Sequence, residues 1–214
     1  ASISLASQML NDPIVTKSPK MLEHISNIIK EETKRLTFQV DKVLQMSVFE
    51  RENIKIELQE NNINEIIQTI AENYSLKIHS KGGNLYTELY AHNAFVDIDE
   101  MHFGNIIYNL LDNAVKYSRE DTPIIITIST WNDNKDNLFI SIEDNGIGIK
   151  KEYLKHIFDK FYRVPTGNRH DIKGFGLGLS YVKKIVQLHK GQIKVESEPN
   201  IGTKFVIELK TIEI

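Results

Sequence analysis

The sequence predicts an α+β protein: one mixed sheet with helices on one face, preceded by an α-helical hairpin. Three observations carry this. Before about residue 50, apolar residues recur at helical period and no strand pattern intervenes. After Asn53, short alternating stretches and longer helical ones mix without strict β-α-β order. The chain then closes on two strand-like stretches joined by a tight turn, not by a helix.

The elements follow in order. Ala1 to Leu10 sets Ile3, Leu5, Ala6, Met9 and Leu10 near one helical face, and Asn11-Asp12-Pro13 breaks it. Ser18-Pro19 opens a second helix, with serine as N-cap and proline at the first helical position. Leu22, Ile25, Ile29, Leu36, Val40, Val43 and Leu44 continue one face to about Phe49, with Glu23, Lys30, Glu31, Lys34 and Lys42 on the wet side. Two helices joined by a short turn make a hairpin, whose apolar stripe suits either a partner or the following domain. Ile54, Ile56 and Leu58 alternate as a strand, Asn62 to Ile78 reads as a helix, and Lys81-Gly82-Gly83-Asn84 as a turn. Leu85 to Leu89 and Ala94 to Ile98 read as a hairpin, and Asp99 caps a helix running to about Tyr117. Ile124 to Thr130 and Leu138 to Glu143 are strands around the polar turn Asn132-Asp133-Asn134-Lys135. Gly178 to His189 is a helix stopping at Gly191, and Gln192 to Ser197 with Thr203 to Leu209 form a final hairpin turning at Pro199-Asn200-Ile201-Gly202. The domain boundary falls between residues 1–50 and 51–214.

Composition narrows the function classes. A formal charge of −3 over 214 residues gives no global basic surface, so nucleic acid is not an expected partner. The absence of cysteine excludes disulfides and thiolate metal sites. No apolar run approaches the roughly 18–20 residues that cross a bilayer, and no signal-peptide pattern is present.

Three stretches carry chemistry. On the Asn105–Tyr117 helix, Asn109, Asn113 and Lys116 share the face opposite Ile106, Ile107, Leu110, Leu111 and Ala114. Amide oxygens are hard ligands suited to Mg²⁺ and an ammonium suits phosphate, yet the stripe equally fits a solvated face. Glu143-Asp144-Asn145-Gly146-Ile147-Gly148-Ile149 follows an apolar strand. Its glycines admit a flat ligand beside a carboxylate that can accept from an exocyclic amine, or they simply make a turn. Gly174-Phe175-Gly176-Leu177-Gly178-Leu179 runs into a helix N-terminus, a phosphate geometry that lacks the Lys-Ser/Thr of a P-loop. Between the two glycine stretches, Lys150 to Lys173 is charge-rich. It reads as a mobile lid anchored by the aromatics of Ile157-Phe158-Asp159-Lys160-Phe161-Tyr162-Arg163, with Arg163 able to meet phosphate.

The order and spacing of these pieces say more than any one of them. Asn-x-x-x-Asn-x-x-Lys-Tyr, Asp-x-Gly-x-Gly, Phe-x-x-Phe-Tyr-Arg and Gly-x-Gly-x-Gly-Leu, in this succession, resemble the asparagine, first glycine, phenylalanine and second glycine boxes of the histidine kinases of two-component systems. The resemblance covers about Asn53 to Leu209. It implies an ATP-binding α/β sandwich in which Asp144, with Gly146, Gly148 and Ile149, receives the adenine. By the same resemblance Asn113 holds Mg²⁺ with Asn109 beside it, and Lys116 and Tyr117 line the phosphate end. Gly174, Phe175, Gly176, Leu177, Gly178 and Leu179 would flank the phosphates, Thr203 would support the adenine pocket, and Asn109, Lys116 and Arg163 would serve the transfer itself. The amino-terminal hairpin is similar to the family's dimerisation and phosphotransfer domain. That resemblance implies a second copy and a response regulator receiver domain as partners, a place on the cytoplasmic side, and a membrane anchor carried by other segments.

One family feature is absent. The acceptor box, a His followed by an acidic residue and soon by Thr-Pro or Asn-Pro, does not occur. His24 lies in Leu-Glu-His-Ile-Ser-Asn on the second helix, the wrong helix and the wrong context, and the other six histidines follow residue 53. The first helix is therefore expected to be truncated, with the acceptor upstream of Ala1. Two alternatives share the nucleotide-binding fold: an ATPase, or a nucleotide-binding module without chemistry. ATPases of chaperone, topoisomerase and mismatch-repair type carry a general-base Glu four residues before the metal-binding Asn. Here that position is Asn109, and an amide cannot act as a base.

Overall fold

The computed structural model describes residues 2–11, 18–30, 32–33, 54–135, 137–165 and 175–212. Contacts divide the chain into two units, 1–54 and 55–214.

In the first unit, helix α1 spans Ser2–Met9 and helix α2 occupies 19–30. Ser18 starts α2 as expected: its carbonyl accepts from the Leu22 N–H at 3.0 Å and its hydroxyl from Met21 N–H at 3.4 Å. Ala6 and Ile25 are buried against each other, with Leu22, Ile28 and Ile29 packed around them. The expected continuation of α2 to Phe49 lies outside the described residues.

The second unit holds a five-stranded sheet and three long helices. Strands are β1 Gln59–Asn62, β2 Asn84–Leu89, β3 Phe95–Ile98, β4 Ile125–Asn132, β5 Asn137–Asp144, β6 Gln192–Glu198 and β7 Gly202–Lys210. Helices are α3 Ile63–His79, α4 Glu100–Lys116, the single turn α5 Lys151–Leu154, and α6 Gly178–Leu188. The large sheet runs β2-β4-β5-β7-β6, with β2 parallel to β4 and every other pair antiparallel, while β1 and β3 form a separate pair.

The period-2 pattern sets the core face. Ile126 and Ile128 on β4, Leu138, Ile140 and Ile142 on β5, and Phe205, Ile207 and Leu209 on β7 are buried. Helix stripes answer them. Ile67, Ile70 and Tyr74 come from α3, Phe103, Ile107, Leu110 and Leu111 from α4, and Val182, Ile185 and Val186 from α6. Each fully buried aliphatic of this set contributes about 1.5–3 kcal/mol. Helix α3 packs on β2, α6 on β6, and α4 lies between the two helices over β5, so all three cover one face. Asp99 caps α4 as read, accepting from His102 N–H at 3.0 Å, and the Asn62 side chain caps α3 by accepting from Asn64 N–H at 3.1 Å. Among the described residues no helix is long and apolar enough to cross a membrane.

Two expectations are corrected. Leu85–Leu89 and Ala94–Ile98 do not form a hairpin with each other: β2 pairs with β4, and β3 pairs with β1. The expected strand Ile54–Leu58 is irregular, and the polar Gln59-Glu60-Asn61-Asn62 takes the strand instead. Glu57 N–H donates to the Asp99 carboxylate at 3.0 Å, which turns the chain just before β1 aligns along β3.

Candidate functional site

Helix α4 fixes the first group of candidates. Its buried stripe sets the rotation of the helix on the sheet, and the 3.6 period leaves Asn109, Asn113 and Lys116 half-buried along one edge. Asn109 donates through Nδ2 to the Asn105 carbonyl at 2.8 Å, which leaves Oδ1 to face the start of α6. A Cβ on Gly178 would sit 2.8 Å from that oxygen, so glycine is what lets α6 begin so close to the amide. Asn113 lies one turn further on, and its carbonyl accepts from Tyr117 N–H at 2.9 Å to close the helix.

The cations gather beyond it. Lys116 Nζ lies 5.0 Å from the centre of the Tyr117 ring. Burial lowers the Lys116 pKa and the neighbouring Arg163 guanidinium lowers it further. Burial raises the Tyr117 phenol while Arg163 acts against it. Two cations crowded at a half-buried place are relieved by an anion.

The second group sits at the end of β5. Asp144 stands opposite Thr203 on β7, and Thr203 opposite Ser197 on β6, so the three form a row on the helix-covered face. Burial pushes the Asp144 carboxyl up to about 6, against the backbone N–H groups of Gly146 and Thr203 and with help from the adjacent Glu143 charge. The Gly146 N–H reaches Asp144 Oδ1 at 2.8 Å.

The turn that follows is tied on every side. Asn145 Oδ1 accepts from Ile125 N–H and Nδ2 donates to the Pro123 carbonyl, each at 2.9 Å. Ile147 N–H donates to the Tyr117 carbonyl at 3.0 Å, and its own carbonyl accepts from Asn200 N–H at 2.8 Å. Ile149 N–H donates to Ser197 Oγ at 2.8 Å. Gly148 has φ of 65°, and a side chain there would also run into the Glu198 carbonyl. Arg119, paired with Asp121, donates to the Asn200 carbonyl at 2.9 Å. The exit of α4, the glycine turn and the β6–β7 turn are thus one interlocked unit.

The third group begins α6. Its N-cap, Leu177, is buried and supplies no side-chain hydrogen bond to the first-turn N–H groups. Leu179 and Phe175 are half-buried, and Phe175 has an interaction partner. Gly176 takes φ of 71° and its carbonyl accepts from Phe161 N–H at 3.0 Å. Gly174 lies outside the described residues, as do residues 166–173 of the expected lid. The described part of that segment is docked. Ile157 is buried, Phe158 meets the Phe205 ring edge-on at 6.3 Å, and Lys183 Nζ sits 5.5 Å from the Phe158 ring.

The structure therefore gathers the sequence candidates around the edge of α4: Asn109 with Gly178, Lys116 with Tyr117 and Arg163, and Tyr117 with the Asp144 turn. Sequence reasoning missed Asn145, Ser197 and Arg119. Asn145 stood inside a quoted motif, and an Asn beside glycine signals a side chain that binds backbone. Ser197 and Arg119 left no signal, because the bonds that tie them to this unit run to backbone groups of distant turns, the Ile149 N–H and the Asn200 carbonyl. A depression lined by Trp131, Phe139, Lys194 and Lys204 lies on the opposite face of the sheet, where Lys204 pairs with Glu143 at 3.0 Å. It takes no part in this grouping.

Comparison with known proteins gives this geometry a family. Residues 98–213 match the family described as histidine kinase-, DNA gyrase B- and HSP90-like ATPases. The sensor protein RprX of Bacteroides fragilis is 54% identical over 213 residues, covering 100% of this chain and 41% of that protein. The signal transduction histidine-protein kinase ArlS of Staphylococcus aureus is 35% identical over 191 residues, 89% of this chain and 41% of that protein. The chain thus spans about two fifths of the length of these curated relatives. The crystal structure of full-length ShkA in complex with AMPPNP is similar in fold, with a TM-score of 0.78 at 20% identity over 100% of this chain and 43% of that one. With more than half its length matched by the family and sensor kinases among its relatives, the chain belongs to the histidine kinase-, DNA gyrase B- and HSP90-like ATPases.

Proposed function

We propose that residues 51–214 bind Mg²⁺-ATP and transfer its γ-phosphoryl group to a histidine outside these 214 residues, as the catalytic region of a sensor histidine kinase. The observation that carries this is the placement, along one edge of α4, of a half-buried carboxylate turn, a pair of crowded cations and a helix N-terminus whose N-cap residue gives no side-chain hydrogen bond. Those three environments suit an amino-purine, a polyphosphate and its oxygens, in that order. Asp144 accepts from the exocyclic amine of adenine, with Gly146, Gly148, Ile149 and Thr203 shaping the surface against the ring. The start of α6, with Phe175, Gly176, Leu177, Gly178 and Leu179, faces the phosphates, and Lys116, Tyr117 and Arg163 meet their far end.

The donor set fits Mg²⁺. The Asn109 NH₂ is committed to the Asn105 carbonyl, so its oxygen is left free to accept on the side facing the start of α6, and Asn113 brings a second amide to the same helix face. When bound, the ion offsets charge on the phosphate oxygens. Transfer needs no strong base: a neutral imidazole nitrogen attacks the γ-phosphorus, the bond to the bridging oxygen breaks, and ADP leaves. An ATPase needs a base to activate water, and Asn109 cannot supply one.

Residues 1–50 serve in this reading as a dimerisation hairpin that pairs with a second copy. The phosphoryl group passes on to an aspartate of a response regulator receiver domain, on the cytoplasmic side of a membrane to which other segments anchor the protein. Radiolabelled ATP with Mg²⁺, added together with a separate hairpin bearing an acceptor histidine, should label that hairpin and not water. Release of inorganic phosphate without labelling would favour the ATPase.

A further inference from the structure

The row Ser197–Thr203–Asp144 fixes more than shape. Ser197 Oγ has three neighbours: the Gly202 carbonyl at 2.7 Å, the Ile149 N–H at 2.8 Å and Thr203 Oγ1 at 2.9 Å. A hydroxyl has one proton and two lone pairs. The carbonyl can only accept, so it takes the Ser197 proton. The amide can only donate, so it takes one lone pair. The one remaining lone pair must receive the Thr203 proton. Thr203 then has no proton left, and its hydroxyl can offer the site only an acceptor.

We infer that Ser197 is a specificity-determining residue: by consuming the Thr203 proton it makes the floor beside Asp144 acceptor-only, which selects 6-amino over 6-oxo purines. This rests on the reading of Asp144 as the adenine partner. Thr203 is buried and stands directly across the ladder from Asp144, so the two oxygens address one edge of a ligand. An adenine amino group brings donors to both. The 6-oxo group of hypoxanthine brings lone pairs instead, Thr203 has no proton to meet them, and the ring N1–H can serve only one of the two acceptors. Ser197 touches no ligand in this arrangement and acts through Thr203.

The decisive comparison is Ser197→Thr against Ser197→Val, two isosteric β-branched residues that suit a strand equally and differ in the hydroxyl. Affinities for ATP and inosine triphosphate are measured by calorimetry on the full 214-residue chain and both variants, with thermal melts alongside. The threonine variant should keep the unaltered chain's preference for ATP. The valine variant frees the Thr203 proton, and its ATP-to-ITP affinity ratio should fall by roughly fivefold to tenfold, the worth of one hydrogen bond. Equal ratios in the two variants, with ATP still bound, would overturn the relay and leave the ATP reading standing. A parallel loss of both nucleotides with the ratio preserved would likewise overturn it, as a purely structural effect. Failure of the unaltered chain to bind either nucleotide would overturn the ATP reading and the relay with it.

Discussion

Asp144 carries two pH dependences of opposite sign. Its folded pKa of about 6 lies above the ordinary 3.8, so between those values the folded chain holds a proton that the unfolded chain has released. Stability therefore falls as pH rises from about 4 to about 6 through this group. Adenine binding runs the other way, because the ionised carboxylate is the better acceptor. Asp144→Asn should flatten the first slope in thermal melts and weaken ATP binding at neutral pH by about 1–3 kcal/mol. Taking the difference between the two proteins cancels the titration of the nucleotide phosphates. Equal ATP affinity in calorimetry would remove Asp144 from the adenine contact. Asn113 allows a separate test at the same scale. Asn113→Ala should weaken Mg²⁺-ATP binding more than binding of ATP in chelator, since an amide oxygen proposed as a metal ligand matters only with the metal. The same loss under both conditions would reassign the residue to the fold or the phosphates.

Among the elements, α4 and α6 meet through Gly178, and this contact separates function from stability. Gly178→Ala gains helix propensity of about 1 kcal/mol at most, and its Cβ displaces only the end of the Asn109 side chain. Melting should move little, while Mg²⁺-ATP affinity drops about fivefold as the amide turns away. Unchanged affinity would place Asn109 outside the site. The same elements show what the sequence could disclose. Helices α3, α4 and α6 were legible because their period lies within one short window, with Asp99 marking the start of α4 and Gly191 the end of α6. The pairing of β2 was not. Its partner β4 begins 36 residues after β2 ends, and parallel register leaves no mark on local pattern. Strand β1 is Gln-Glu-Asn-Asn, with no β propensity, and it exists because β3 offers an edge. The glycine turns and the α4 stripe were readable because close backbone approach leaves glycine and a shared face leaves an i, i+4 pattern. Ser197 and Arg119 were not readable, since one hydroxyl or guanidinium meeting a backbone group far along the chain leaves neither.

For the whole molecule, the question is whether a nucleotide site and a phosphate acceptor coexist in these 214 residues. The described histidines of the second unit are engaged or away from the site. His189 is buried, donating through Nδ1 to the Ile185 carbonyl and accepting at Nε2 from Asp99 N–H. His102 bonds the Tyr181 hydroxyl at 2.8 Å, and His79 donates to the Ser75 carbonyl at 2.8 Å. His156 pairs with Asp159 at 2.8 Å. In the first unit His24 is exposed on α2, yet Ile25 stands where an acceptor has its following acidic residue, and no Thr-Pro comes soon after it. An exposed imidazole without that following carboxylate is a poorly oriented nucleophile, and orientation supplies most of what this transfer requires. The chain should therefore bind ATP and, after incubation with γ-labelled ATP, carry no acid-labile label. Label that vanishes in His24→Gln would show that the hairpin carries its own acceptor. Label appearing only on an added acceptor hairpin, and lost there with Asp144→Asn, would tie the transfer to the row of residues at the end of β5.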